Sequence, residues 1–189
     1  PVMIALATAL GVLGGAGVGL GMGAAFGWRG SSIAVLPVGG AIGGMLVGAI
    51  GSILGADGIA ALTGAYLPRI TGLFEGLVLG FAAGVGAIRA VQMSDRVGSA
   101  SALAAGVGAL SGAFIVLAGG TLLGGSLYTL SGQFPGSALT MDRVEALFSE
   151  PGFGSLSEVI TAALEGATFT ACIAGALSFA RIGCVDSPG

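Results

Sequence analysis

From Gly30 to Ala56 the chain runs for twenty-seven residues without one charged side chain, and most of them are glycine or apolar. About 20 apolar residues are enough for a helix to cross a bilayer, so this run alone removes an ordinary soluble fold. Comparable runs recur along the chain. Overall, 54% of the 189 residues are hydrophobic, 8% are charged and the mean hydropathy is +1.03. Soluble domains carry about 25% charged residues. The short alternating segments of a membrane β-barrel are missing. The expected fold is all-α: one polytopic membrane domain, residues 1–189, with a bundle of about five transmembrane helices.

The spans are expected over about Val2–Gly27, Ile33–Leu54, the stretch after Pro68 to Ala90, Ala100–Leu123 and Ser155–Ala180. Trp28 and Arg29 suit an interfacial position, and Pro68 suits a first helical turn. Ser155 and Glu158 have capping-box spacing. No basic n-region precedes the first span, so it reads as a span and not as a signal peptide. Arg29, Arg89, Arg96 and Arg181 fall on one side of this topology. Arg69 and Arg143 share the other side with Asp57, Asp142, Glu145, Glu150 and Glu158. The excess of arginine predicts that the first side, with the C-terminus, is cytoplasmic or its organellar equivalent. The membrane would be an inner or plasma membrane, or an organellar inner one. In the longest connection, about 127–154, Met141, Val144, Leu147 and Phe148 predict a short amphipathic surface helix.

Glycine sets the expected packing. Residues 11–27 hold eight glycines, and Gly11, Gly15, Gly19, Gly23 and Gly27 recur at intervals of four. In water each would cost a helix about 1 kcal/mol relative to alanine. In lipid no water competes for the backbone hydrogen bonds, and a row of glycines lets another helix approach until backbones touch. Similar rows hold Gly43 and Gly51, Gly76 and Gly80, and Gly112 and Gly120. The last span replaces glycine by Ala162, Gly166, Thr170, Ala174 and Ser178. Glycine-zipper packing is therefore expected throughout, with some grooves left for copies of the chain or for other membrane subunits.

An internal repeat is also expected. Residues 38–55, VGGAIGGMLVGAIGSILG, align without gaps on 107–124, VGALSGAFIVLAGGTLLG, which puts Gly39, Gly43, Val47, Gly51 and Gly55 on Gly108, Gly112, Val116, Gly120 and Gly124. ITGLFEG at 70–76 aligns on ITAALEG at 160–166. The organisation read from this is a first helix in 1–30, one unit in 31–98 and a second in 99–189. Each unit has two spans, so the copies should enter the membrane in the same sense, related by a pseudo-two-fold axis along its normal.

Glu75 and Glu165 are the acidic residues well inside the expected spans, at matching places in the two units. By helix rise each lies about 10–15 Å beyond its helix start. A carboxylate at that depth is costly and faces the protein interior or a hydrated cavity. Glu158, Thr161, Glu165, Thr168 and Cys172 share one face of the last span, and Thr71 accompanies Glu75. The expected site is a paired-carboxylate site for a cation or proton, lined by Thr71, Thr161 and Thr168. The plainer reading is that each glutamate is protonated, or bonded to a threonine or a backbone carbonyl, and locks packing. Arg89 and Arg181, ending the third and fifth spans, are expected to snorkel to headgroups.

With no histidine, haem ligation of the usual kind, a histidine-bound metal and a Ser–His dyad are excluded. Phosphate-binding loops and paired-cysteine metal motifs are lacking too. Cys172 and Cys184, one in a span and one in the tail, are not expected to pair. Enzymatic activity, a cofactor and nucleic-acid binding are not expected. Glycine rows with a membrane carboxylate resemble the proteolipid rings of rotary ATPases. The small-residue-rich spans resemble the mitochondrial inner-membrane protein translocase family. The polar loop of the first and the arginine-and-aspartate signature of the second are missing, so neither family is assigned. Two functions are expected in the alternative: a small cation or proton transporter or channel, or a non-catalytic assembly subunit of a membrane complex.

Overall fold

The computed structural model describes residues 2–28, 32–63, 72–92, 97–133 and 153–185. These residues form helices and no strand. Helix α1 covers Val2–Trp28, and a short 3-10 turn at Ile33–Val35 leads into α2, Leu36–Thr63. Then follow α3, Leu73–Gln92, α4, Val97–Leu117, α5, Leu123–Gln133, and α6, Ser155–Val185. Five stretches are long and apolar enough to cross a membrane: Thr8–Trp28, Ile33–Leu54, Leu73–Gln92, Val97–Leu117 and Ser155–Ala180. Large apolar side chains remain uncovered, and Leu20, Leu110, Leu117 and Phe179 are 68–77% exposed. In water a skin of that kind would drive association; in lipid it is the expected outer surface.

The most extensive pairings are α2 on α3 and α4 on α6, with α1 on α2 and α3 bridging to α4 and α6. Both main pairings bring backbone against backbone. In the first, Gly40 faces Gly80, Gly44 faces Gly76 and Gly48 faces Gly72, and a Cβ on Gly40, Gly44, Gly48, Gly76 or Gly80 would collide with the opposite carbonyl. In the second, Gly108 faces Gly166 and Gly112 faces Ala162, while the buried Thr170 hydroxyl donates to the Ala104 carbonyl at 2.7 Å. Small residues are needed there because a large side chain would force the axes apart.

These contacts do not follow the gapless alignment of the second and fourth spans, which shifts residues by 69. The opposed pairs relate α2 to α4 by a shift of 64 and α3 to α6 by 90. The physical reason is that α2 carries two glycine rows one residue apart. Gly39 and Gly43 pack on Gly21 and Gly17 of α1, whereas Gly40, Gly44 and Gly48 pack on α3. The alignment matched the row that faces α1.

The expected row on α1 has a different surrounding again. Gly11, Gly15, Gly19, Gly23 and Gly27 have nothing within 4 Å of where a Cβ would sit, and Gly51 of α2 is equally open. Gly17 and Gly21 are the glycines of α1 that meet α2. An apolar groove of about 300 Å³ runs between α1 and α6, lined by Gly11, Gly15, Gly19, Met22, Phe169 and Cys172 among others.

Three apolar clusters fill the inside. Val18, Met22, Leu36, Ala83 and Ala87 join α1, α2 and α3. Ala90, Ala100, Ala104 and Ala174 join α3, α4 and α6. Ile115, Leu122 and Ala162, backed by Val78, Leu79 and Val116, lie beside the polar site described next.

Two boundaries differ from expectation. The third span starts at Leu73 instead of just after Pro68, and the fourth ends at Leu117 instead of Leu123. The first part of the expected 127–154 loop is helical, as the end of α5. The amphipathic segment at Met141–Phe148 and Thr71, Arg29, Arg69, Arg96 and Arg143 lie outside the described residues.

Candidate functional site

Helix α4 stops where its sequence reads Ala118-Gly119-Gly120. Gly119 has φ +86°, a left-handed conformation that glycine adopts at little cost. Its N–H donates to the Val116 carbonyl, and the Gly120 N–H donates to the Ile115 carbonyl, both at 2.9 Å. This pair of bonds is a Schellman motif, which satisfies carbonyls that a helix end would otherwise leave bare. The chain then passes through Thr121 and Leu122, both buried, and resumes as α5 at Leu123.

Two glutamates from two other helices hold this break. Glu75, 9% exposed, accepts the Thr121 N–H on Oε1 at 3.3 Å and the Gly72 N–H on Oε2 at 2.9 Å. Glu165, half-buried on α6, accepts the Leu123 N–H on Oε2 at 2.8 Å and the Gly124 N–H on Oε1 at 2.7 Å. Every carboxylate oxygen of the pair thus takes a backbone N–H. Glu165 supplies a cap for the first turn of α5, and Glu75 caps its own helix while reaching across to the break. Negative charge at a helix N-terminus also meets the positive end of the backbone dipole.

The level of the site along the bundle follows from helix register. Gly76, next to Glu75, opposes Gly44 of α2, which lies about 12 Å along that helix from Leu36. Glu165 lies about 15 Å from the start of α6. Glu75, in the first turn of α3, lies only about 3 Å past Leu73 and not the expected 10–15 Å, because the helix starts later than Pro68.

Further contacts frame the break. Gly120 leaves room for Glu75 Oε1, and Gly124 and Gly125 leave room for the carboxylates of Glu165 and Glu158. Phe74 and Phe114 meet with ring centres 6.4 Å apart, and Tyr128 stacks on Phe153 at 5.2 Å, tying α5 to the start of α6. That start lies one residue earlier than a Ser155 cap would put it: the Glu158 N–H donates to the Gly154 carbonyl at 3.0 Å.

No family model, curated protein or solved structure matches the chain. The geometry therefore carries the reading of the site alone.

The polar stripe of α6 divides in two. Glu158, Thr161 and Glu165 are partly buried toward the break, whereas Thr168 and Cys172 are exposed. Thr161 donates within its own helix, to the Ser157 carbonyl at 2.7 Å with Glu158 O within 3.1 Å. Thr168 donates to the Leu164 carbonyl at 2.8 Å. Among the predicted packing residues, Gly43, Gly76, Gly80 and Gly112 sit at close crossings and Gly120 sits at the break. Among the described residues no group of three or more acidic, cysteine or histidine side chains is arranged to hold a metal. Sequence reasoning missed Gly119, Thr121 and the first turn of α5. The Gly119-Gly120 pair after an apolar run was the available signal, since glycine past the last periodic residue marks a helix end.

Proposed function

We propose that this integral membrane protein is a small transporter or channel for a proton or cation, working through the paired carboxylates Glu75 and Glu165. The observation that carries the reading is their convergence, from two helices, on the break between α4 and α5. Irregular backbone at membrane depth is tolerated where it is enclosed by protein or lines a hydrated path. Broken helices near the midplane are a common way of building a transport site. The polar residues Glu158 and Thr161 lead from the start of α6 toward the pair.

The reading includes a duplicated helix hairpin, α2–α3 and α4–α6, packed through glycine zippers. It is supported by the three opposed pairs in each hairpin, which share one register and bring Glu75 and Glu165 to equivalent positions. The arginine distribution favours a cytoplasmic-side C-terminus.

The test is flux. Purified protein in liposomes carries protons or monovalent cations down an imposed gradient, and Glu75→Gln and Glu165→Gln each lose most of that flux. An inert parent protein, or equal rates in all three, would overturn the proposal.

A second reading is favoured by one observation, the open glycine row of α1. An assembly subunit would offer that row to a homo-oligomer or another membrane subunit. Co-purification at fixed stoichiometry, with no flux from the isolated chain, is its expected outcome.

A further inference from the structure

The two hairpins use equivalent parts differently. The shift of 64 that relates Gly44 to Gly108 also relates Gly55 to Gly119. Yet α4 ends just before Gly119, which has φ +86°, while α2 continues through Gly55 to Thr63. The same shift relates Ile59 and Ala60 to Leu123 and Gly124, the residues whose N–H groups Glu165 holds. Glu75, related to Glu165 by the shift of 90, leaves Ile59 and Ala60 to their helix and reaches Thr121 of the other hairpin. One hairpin is broken and capped by its own carboxylate. Its counterpart is unbroken and lends its carboxylate to the first.

We propose that the protein has a second state in which these roles exchange: α2 breaks at Gly55, Glu75 caps the N–H groups of Ile59 and Ala60, and α4 runs on through Gly119. This inference rests on the duplicated-hairpin reading above. Glycine stands at both hinges, so positive φ is open to either. Glu75 would exchange the N–H groups of Thr121 and Gly72 for those of Ile59 and Ala60, and the two states differ by which hairpin supplies the break. Near-equal packings of one element are what a discrete exchange requires. The unbroken α2 has 28 residues, about 42 Å, against a hydrocarbon core of about 30 Å. A break at Gly55 would leave a first segment of about 28 Å. The two breaks lie at the same depth, so the exchange moves the site around the pseudo-axis and not across the membrane.

Spin labels at Val38→Cys and Ala61→Cys, in a Cys172→Ser, Cys184→Ser background in nanodiscs, report on α2. An unbroken helix separates these positions by about 35 Å. The expected result is that distance plus a shorter population. Gly55→Ala should abolish the shorter population, and Gly119→Ala, which strains the break in α4, should enrich it. If Gly119→Ala does not fold, Glu165→Gln weakens the same break and should also enrich it. A single 35 Å population in every variant, or a shorter one that ignores these substitutions, overturns the exchange. Flux measured on the same variants reconstituted in liposomes separates the two proposals. Transport with one α2 distance removes the exchange alone, and two distances without transport remove the transport reading alone.

Discussion

Glu165 shows how one side chain can fix a backbone path. Its carboxylate meets the N–H groups of Leu123 and Gly124 at 2.8 and 2.7 Å, and a buried N–H left without a partner costs about 1–3 kcal/mol. Glu165→Ala orphans two half-buried donors and should therefore destabilise the protein by up to about 6 kcal/mol. Glu165→Gln, which keeps one acceptor oxygen, should cost less. Thermal unfolding in detergent, followed by reaction of a thiol-specific dye, ranks the two. Gly119→Ala imposes a side chain on a left-handed residue and should cost about 1–2 kcal/mol, read in the same assay. The carboxylates themselves were legible in the sequence, since an acid in an apolar run stands out. Their partners at the break were not, because those three donors are backbone groups 41–46 residues away in the chain, on a stretch with no side-chain signal.

At the scale of whole helices, the difference between a filled and an open glycine face is measurable. A Cβ at Gly76 would strike the Gly44 carbonyl, so Gly76→Ala must push α2 and α3 apart. Gly15 has nothing within 4 Å, so Gly15→Ala should be tolerated and gain up to about 1 kcal/mol in helix propensity where water reaches the helix. The expected order of melting temperatures is Gly15→Ala at or above the parent and Gly76→Ala well below it. A Gly15→Ala variant as unstable as Gly76→Ala would show that the α1 row is covered in the native protein. The five spans were readable from hydropathy because bilayer thickness sets their length. Which glycine row faces which neighbour was not. Two rows one residue apart on α2 give two alignments of similar quality, and tertiary contact chooses between them. The break between α4 and α5 was read as continuous helix because Ala118–Leu122 carries no charge or proline to interrupt the apolar pattern.

For the molecule as a whole, the exposed apolar skin predicts where lipid lies. Cys172 is a free, exposed thiol in the α6 span. In a Cys184→Ser background it should react with an apolar maleimide and resist a charged, membrane-impermeant thiol reagent until detergent is added. Rapid labelling by the charged reagent in intact vesicles would put that face in water. The Glu75 contact also has a consequence for how the protein is made. Its donor at Thr121 lies 46 residues downstream, so at about 5–20 residues per second the ribosome needs roughly 2–9 s to deliver it. Through that interval α3 carries a half-partnered acid at its leading edge, and release into the lipid is unfavourable until α4 emerges. Nascent α3 should therefore linger at the insertion machinery and depart together with the segment that follows.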